Sequence, residues 1–516
     1  MNYQPSQGLS QFKNLVGIKF QLYNSLFTSL PFHRIEKTGI LLSLLLTICE
    51  EGYLKKQSPE EILEEFFRKQ TALAGERERA DILFRFVQYV ERQIVLFDAL
   101  EDAAFRHVND MGGPGTLKHL VSEVVQSNKE EELTAKLKDY SVRLVLTAHP
   151  TQFYPGTVLG IINDLSRAVI ENNAAEINLY MQQLGKTPFL KKQKPTPYDE
   201  AVSLIWYLEN VFYHASGKII SALRDQFPHV LDNRNAVIKM GFWPGGDRDG
   251  NPFVKVDTTL RVAEALRGAI IKCYYLDVRR LKRRLTFKGV DVLIAELEAK
   301  LYNNIFIPNQ RTDLSKKEIL GDLGKIREII IYQHNGLFLH LVDNLIGKVM
   351  IFGLHFATLD IRQDSGVHTA VLSAVAEREK LLPRAYSSLP PQQKIDTLTQ
   401  ITGKADPKLY EDPLVKDTIE SMSVIRTIQQ INGPQGCDRY VISHCNSALN
   451  VMEVFGLFLL AGWDAKKLPV DIVPLFESVE DLQGAASVME ELYTQPVYRR
   501  HLAQRGDVQT IMLGFS

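Results

Sequence analysis

Apolar residues recur at helical spacing through roughly the first 140 positions, which predicts a region built from helices alone. Ser58 stands before Pro59 and an acidic first turn, a combination typical of a helix N-terminus. Residues 77–108 keep the helical spacing over a long stretch, and the glycine- and proline-rich segment 112–115 then predicts a loop. We therefore expect an all-helical N-terminal region over residues 1–140.

Beyond residue 140 the pattern changes to short apolar runs separated by long helical stretches. The six runs cover residues 143–148, 238–243, 354–361, 440–443, 471–476 and 508–515. Strands that alternate with helices predict parallel βα units. No glycine-rich dinucleotide-binding fingerprint follows the first run, so the pattern argues against a Rossmann-type domain.

Polar residues stand at the carboxyl ends of these six runs. They are, in chain order, His149, the segment 245–251, Arg362 with Gln363, Ser443 with His444, Glu477 and Ser516. One polar strand end reflects only the emergence of the chain into solvent, but several that carry His, Arg and Glu are typical of the catalytic face of a β/α barrel. We expect an α/β fold, namely a helix-rich (β/α)8 barrel of the TIM type over residues 141–516.

A complete barrel of this type needs eight strands, and the pattern indicates about six. A barrel that lacks two strands would leave two open edges with unpaired backbone groups. Either two strands escape the pattern or the chain ends before the fold is complete. We treat residues 141–516 as one structural unit with large helical insertions.

The composition is that of an ordinary globular protein, with 45% hydrophobic and 23% charged residues. The net charge of −1 argues against binding of nucleic acid or a membrane surface by the chain as a whole, so an anionic ligand needs a local cluster of positive groups. The basic run 279–284 lies in a helical segment without interleaved aromatic residues. A solvated helix face or a subunit contact is the better interpretation of this run.

The four cysteines show neither CxxC pairing nor a spacing suited to zinc, which favours free thiols in a reducing compartment. The first residues lack the basic-then-apolar pattern of a signal peptide. The longest apolar run, residues 40–48, is about half as long as a membrane span and favours a buried helix. We predict a cytoplasmic location without membrane association.

Two motifs after the first and second runs carry candidate chemistry. In LTAHPTQ, His149 has a side chain whose usual pKa suits proton transfer, although a lone histidine is more often structural. In GFWPGGDRDGNP, two glycines allow close backbone approach and Arg248 offers a planar fork of donors for phosphate or carboxylate. A calcium loop is excluded by Pro252 and Thr258, whereas a tight turn remains an alternative.

Two further motifs follow the third and fifth runs. In TLDIRQDSGVH, Arg362 would point into the mouth of a barrel, or else lie on the surface and pair with Asp360 or Asp364. In VPLFES, Glu477 directly follows an apolar strand, where a carboxylate suits Mg²⁺ or Mn²⁺. A helix-capping or salt-bridging acid is the alternative at this position.

These four motifs, in this order and with long helical spacers, resemble the phosphoenolpyruvate carboxylase family, as do residues 90–105 and 194–201. The resemblance covers essentially the whole chain. It implies a (β/α)8 barrel elaborated with helices, usually a homotetramer. It also implies the carboxylation of phosphoenolpyruvate by bicarbonate, with Mg²⁺ or Mn²⁺, through carboxyphosphate and an enolate to oxaloacetate and phosphate.

The resemblance also implies roles for individual residues. His149 corresponds to the histidine that handles the proton of carboxyphosphate, Arg362 to an arginine that holds the phosphoryl or bicarbonate group, and Glu477 to one of two metal-binding carboxylates. Arg248 would help to fix a substrate-mouth segment. The residues of that segment are Trp243, Gly245, Gly246, Asp247, Asp249 and Asn251.

The chain also departs from the family pattern. The second metal carboxylate and the later active-site motifs of the family would follow Ser516, where this sequence ends. We therefore expect a catalytically incomplete part of a carboxylase. The alternatives are a non-catalytic scaffold or interaction protein and one half of a split carboxylase.

Overall fold

A computed structural model describes residues 7–29, 38–147, 154, 156–189, 195–227, 237–249, 251–307 and 314–514. The chain divides into two compact units, as far as these residues describe them. The first unit consists of Met1–Leu120 and His149–Lys194, and the second of Val121–Ala148 and Pro195–Ser516. This division differs from the expected boundary at residue 140, because the chain passes from the first unit to the second and back before it stays in the second.

The helices within the described residues begin and end as follows, in chain order. They are α1 Gln7–Phe12, α2 Ile18–Ser29, α3 Thr38–Leu54, α4 Pro59–Gln70, α5 Glu76–Val108, α6 Leu117–Gln126, α7 Glu130–Asp139, α8 Gly156–Ile170, α9 Ala174–Lys186, α10 Pro197–Tyr207, α11 Tyr213–Gln226, α12 Val256–Lys282, α13 Val290–Phe306, α14 Lys316–Gln333, α15 Leu339–Phe352, α16 Ser365–Arg378, α17 Pro391–Thr399, α18 Pro413–Asn432, α19 Ala448–Leu460, α20 Val479–Thr494 and α21 Pro496–Gln504. Two π-helical segments, Lys13–Gly17 and Leu208–Phe212, continue α1 into α2 and α10 into α11. The prediction of helices through residues 1–140 is confirmed for the described part.

The first unit is organised around the long helix α5. Its residues Val95, Leu96, Ala99 and Leu100 are buried at a helical spacing and form one hydrophobic cluster with residues of α8 and α9. At the start of α4, the side chain of Ser58 accepts a hydrogen bond from the backbone of Glu61, whose own carboxylate accepts from the backbone of Ser58. This capping box confirms the predicted helix start.

The apolar run 40–48 lies in α3, as a helix, but its burial was predicted wrongly. Ile40 and Leu46 remain 61% and 59% exposed. The run is apolar on all sides, and only one side of α3, which includes Ile48, packs on α4 and α5. Among the described residues, no helix is both long and apolar enough to cross a membrane.

The strands belong to the second unit, and neighbouring strands run parallel. They are β1 Val142–Leu146, β2 Ile238–Phe242, β3 Thr358–Leu359, β4 Ile361–Asp364, β5 Arg439–Ser443, β6 Asp471–Phe476 and β7 Met512–Leu513. They form two sheets in the orders β1-β2-β3 and β4-β5-β6-β7. Only Asp360 separates β3 from β4, so spatial order follows chain order through both sheets.

Each of the six predicted runs contains a strand, and the prediction of a helix-rich α/β fold with parallel strands is confirmed. The third run was placed too early, since its strands cover residues 358–364. Gly353 and Phe356 have φ angles of 50° and 62°, so the chain turns there instead of extending. Arg362 and Gln363 therefore lie within β4 and not beyond its end.

Candidate functional site

Arg362 of β4 brings together three acidic side chains from the ends of other strands. Its Nη2 lies 2.7 Å from a carboxylate oxygen of Asp249 and 3.4 Å from one of Glu477, and its Nη1 lies 3.5 Å from Asp247. The guanidinium carbon lies 5.3 Å from the ring centroid of Trp243, in the range of a cation–π contact. Among the predicted site residues, these five therefore form one cluster.

The loop after β2 reaches Arg362 through its backbone. The backbone N–H of Arg248 donates to the carbonyl of Arg362 at 2.9 Å, and the N–H of Arg362 donates to the carbonyl of Gly246 at 3.1 Å. Gly245 has a φ of +82°, and a Cβ at Gly246 would collide with the carbonyl oxygen of Asp360. The two glycines therefore permit close approach of the loop to the neighbouring strand.

Arg248 itself does not join the cluster around Arg362. Its guanidinium is buried and donates to a carboxylate oxygen of Asp417 at 3.2 Å, to Oγ1 of Thr259 at 3.0 Å and to the carbonyl of Gly246 at 3.4 Å. The guanidinium that the sequence suggested as a ligand for phosphate or carboxylate is thus hydrogen-bonded within the protein. Its contacts agree with the other expectation, that Arg248 fixes the loop, and connect the loop to α12 and α18.

The side chains of Asp247 and Asn251 stabilise turns of this loop. Oδ1 of Asp247 accepts from the backbone N–H of Asp249 at 3.1 Å, and Oδ1 of Asn251 accepts from the N–H of Phe253 at 3.2 Å. Burial raises the pKa of Asp247 to about 6, although the neighbouring Arg362 opposes the shift. The tight turn that remained an alternative in the sequence is therefore part of the structure.

His444 and Glu477 directly follow β5 and β6. Oε2 of Glu477 accepts from the backbone N–H of His444 at 3.3 Å and lies 3.7 Å from its Nε2, while Nδ1 of His444 lies 2.8 Å from a carboxylate oxygen of Asp364. The hydrogen bond to Asp364 raises the pKa of His444, and the charge of Glu477 adds to the effect. His444 is thus held between two carboxylates while most of its side chain stays exposed.

A buried ion pair fixes Trp243 beside the cluster. Asp360 accepts from Nη2 of Arg143 at 2.6 Å and from Nε1 of Trp243 at 3.2 Å. Burial raises the pKa of Asp360, and the attraction of Arg143 lowers it. Neither of the acids suggested as surface partners of Arg362 pairs with it, since Asp360 bonds Arg143 and Asp364 bonds His444.

Sequence reasoning did not single out Arg143, Asp360 or Asp364 as site residues, and His444 was noted only as a strand end. A charged residue inside an apolar strand, as in the run RLVLTA, is the signal that points to Arg143, because such a charge is buried only with a partner. His149 and Gly250 lie outside the described residues.

The residues around Arg362 also bear on metal binding. Carboxylate oxygens are the ligands that Mg²⁺ and Mn²⁺ prefer, so the chemistry of Glu477 fits one metal ligand. Within the described residues, no group of three or more His, Cys, Asp or Glu side chains is arranged to hold a metal ion. In this structure the carboxylate of Glu477 is engaged by Arg362 and by the backbone N–H of His444.

The chain is similar to curated proteins described as phosphoenolpyruvate carboxylase. It is 27% identical to a phosphoenolpyruvate carboxylase from Gloeobacter violaceus, over 79% of this chain and 51% of that relative. It is 25% identical to one from Nitrosomonas eutropha, over 78% of this chain and 49% of the relative, and 27% identical to one from Trichormus variabilis, over 72% and 44%. The chain thus spans about half the length of the curated relatives it matches.

A sequence model of the phosphoenolpyruvate carboxylase family matches residues 60–305 and 293–516. Both segments include parts of the second unit, and the second segment contains Arg362, His444 and Glu477. The match covers well over half of the chain and agrees with the motifs found in the sequence. The chain belongs to the phosphoenolpyruvate carboxylase family.

Proposed function

We propose that this chain takes part in the carboxylation of phosphoenolpyruvate by bicarbonate, which yields oxaloacetate and phosphate. A bicarbonate oxygen attacks the phosphorus atom, the bond from phosphorus to the enol oxygen breaks, and carboxyphosphate and the enolate of pyruvate form. Carboxyphosphate then passes its carboxyl proton to the phosphate and splits into CO₂ and phosphate. The methylene carbon of the enolate finally bonds to CO₂.

The contacts of Arg362 with acids that follow two other strands, β2 and β6, carry this proposal. Parallel strands bring their carboxyl ends to one edge, which is where β/α barrels hold their catalytic groups. The strand order, which follows chain order without reversal, supports a (β/α)8 barrel of the TIM type over the second unit. Family membership then supplies a reaction whose substrates are small anions.

Arg362 would hold the phosphoryl or bicarbonate group. Its Nε is buried and has no hydrogen-bond partner in the part of the chain that the structure describes, so one donor remains for a ligand. Trp243 supports the guanidinium from its ring face. Arg248 and the glycines Gly245 and Gly246 would position the loop that carries Asp247, Asp249 and Asn251.

His149 would receive the proton of carboxyphosphate and return it to the departing phosphate, a role that suits a side chain with a pKa near neutrality. Glu477 would contribute one carboxylate to Mg²⁺ or Mn²⁺. A divalent cation at this position would offset the negative charge that develops on the enolate and phosphoryl oxygens. The carboxylates around Arg362 would orient the guanidinium without consuming its Nε donor.

We further propose a cytoplasmic homotetramer. Cys49, Cys273, Cys437 and Cys445 are free thiols, and the last three are buried, which suits a reducing compartment. The tetramer rests on the family resemblance. Light scattering of the purified protein measures the assembly directly, and a monomer at micromolar concentration would refute it.

Carboxylation is tested by the incorporation of labelled bicarbonate into oxaloacetate. The relatives extend over about twice the matched length, so the assay uses the full gene product that contains these residues. We expect incorporation that requires both phosphoenolpyruvate and Mg²⁺ or Mn²⁺, with release of one phosphate per carboxylation. Phosphate release without labelled product, or no reaction with either metal, would contradict the proposal.

A further inference from the structure

A second charged feature of the second unit is a groove between the end of α12 and the start of α15. Its cavity of about 530 Å³ is lined by Arg280, Arg283, Arg284, Phe338 and Lys348, among others. Volumes of about 300–1,000 Å³ are typical of sites for small molecules. None of the lining residues belongs to the cluster around Arg362.

The groove carries an excess of positive charge. Asp277 is the acid that lines it, and its two carboxylate oxygens are engaged by Lys348 at 2.7 Å and Arg280 at 3.2 Å. Neither Arg283 nor Arg284 pairs with a carboxylate among the residues that the structure describes. Two guanidinium groups therefore remain for an anion.

Two other cations of the same basic run share one carboxylate outside the groove. Arg279 and Lys282 approach the two carboxylate oxygens of Glu298, at 3.7 and 2.6 Å. The run 279–284 is thus not uniform, because part of it pairs with α13 and part of it lines the groove. Arg279 and Lys282, which share the carboxylate of Glu298, provide a comparison for Arg283 and Arg284.

The positive field of the groove also acts on a neighbouring histidine. The pKa of His214 is lowered by burial and, next, by the charge of Lys348; Asp277 opposes this shift and Arg280 adds to it. Lys348 is itself buried, and its Nζ lies 4.3 Å from the ring centroid of Tyr213. A buried cation at the inner wall and exposed arginines at the rim suit a ligand whose charge is concentrated in one group.

The aromatic lining argues against a nucleobase. Arg284 already lies over the ring of Phe338 at 5.8 Å, and Phe287 lies parallel to that ring with a centroid distance of 6.3 Å. The remaining lining includes Leu281 and Leu345, which suit a short aliphatic skeleton. The aromatic platform typical of single-stranded nucleic acid sites is therefore not offered here.

We propose that this groove binds a small organic phosphate, whose phosphate group is held by Arg283 and Arg284. Guanidinium groups bind phosphate oxygens in pairs, through parallel and charge-assisted hydrogen bonds. Arg280 and Lys348 add to the attraction, while the leucine side chains contact the carbon skeleton. The proposal is independent of the carboxylation reaction.

The test uses inorganic pyrophosphate as the probe and isothermal titration calorimetry at low ionic strength. The 516-residue chain carries Arg362→Gln, so that the strand-end cluster does not contribute. We expect one saturable site. The double variant Arg283→Gln/Arg284→Gln should weaken pyrophosphate binding by at least about tenfold, because hydrogen bonds between charged groups contribute more to affinity than neutral ones.

The control is the double variant Arg279→Gln/Lys282→Gln, which removes two positive charges from the last turn of α12, next to Arg283 and Arg284. Because both side chains face Glu298 and do not line the groove, this variant should change the dissociation constant by less than about threefold. Absence of saturable binding, or equal weakening in both double variants, would overturn the proposal. So would tighter binding of a single-stranded oligonucleotide that is lost with Arg283 and Arg284.

Discussion

Arg362, which lies within β4, and Asp249, which lies in the loop after β2, are joined by a 2.7 Å contact from Nη2 to a carboxylate oxygen. The same nitrogen lies 3.4 Å from Glu477. One guanidinium therefore faces three carboxylates, and the cluster is negative at neutral pH. Because an anionic substrate is repelled by such a cluster, its binding should depend on added positive charge.

Arg362→Lys should reduce kcat/KM for phosphoenolpyruvate by about 10²–10³-fold, the usual cost of removing a positioned donor. A lysine keeps the charge, but its compact ammonium cannot reproduce the planar fork of donors that spans the carboxylates. Initial rates of oxaloacetate formation by the full gene product measure the effect. Arg378→Lys, on the exposed end of α16, is the control and should leave the rate unchanged.

His149→Ala should lower kcat by about 10²–10⁴-fold, as expected for a general acid–base group, while phosphoenolpyruvate still binds. Rates and calorimetric affinities separate these two effects. The exposed His107 provides the control, as His107→Ala. Full carboxylation by His149→Ala would remove this histidine from the mechanism.

Glu477→Gln should sharply raise the concentration of Mg²⁺ or Mn²⁺ needed for half-maximal rate, because a neutral amide is a weaker ligand for a hard cation than a carboxylate. Titration of the metal at saturating substrate measures the change. Glu480→Gln, an exposed acid in the first turn of α20, should leave the metal dependence unchanged. Equal metal dependence of both variants would show that Glu477 is not a ligand.

Asp360→Ala should destabilise the second unit by about 3–5 kcal/mol, because it leaves the mostly buried guanidinium of Arg143 without the carboxylate to which it donates. Urea unfolding followed by tryptophan fluorescence measures this loss, since Trp206, Trp243 and Trp463 all lie in the second unit. The double variant Arg143→Met/Asp360→Leu removes both charges and should be the more stable of the two. A double variant less stable than Asp360→Ala would contradict this account.

The strands could be predicted because buried parallel strands form continuous apolar runs. The third was misplaced because the turn at Gly353 and Phe356 depends on backbone angles that composition does not show. In the site, Glu477 could be predicted to follow a strand directly, whereas Arg362 lies within β4 and not at its end. The burial of Arg248 could not, since it depends on Asp417, which lies far along the chain.

The division into two units was also beyond the reach of local patterns. Helices α8 and α9 follow the first strand in sequence but pack with α5, and they have the same amphipathic pattern as helices of the second unit. Which partner buries an apolar helix face is decided by tertiary packing. The periodicity of the sequence predicts that an apolar helix face is buried, but it does not predict which other element covers that face.

The stability of the second unit should fall in acid because of His368. Burial lowers the pKa of this histidine to about 3 in the folded chain, where its Nε2 lies 2.8 Å from the hydroxyl of Tyr440. In the unfolded chain the pKa is about 6.5. Between these values the unfolded chain binds the proton that the folded chain excludes, so stability is complete above about pH 6.5 and is lost as the pH falls.

His368 alone should therefore remove about 2 kcal/mol of unfolding free energy between pH 7.5 and pH 5.0. His368→Gln keeps a hydrogen-bonding side chain and removes the titration, so its stability should fall less over the same interval. Urea unfolding at the two pH values measures both slopes. His340→Gln, an exposed histidine of the same unit, should keep the wild-type slope. A His368→Gln slope equal to that of the wild type would mean that His368 accepts the proton in the folded state, which its complete burial does not allow.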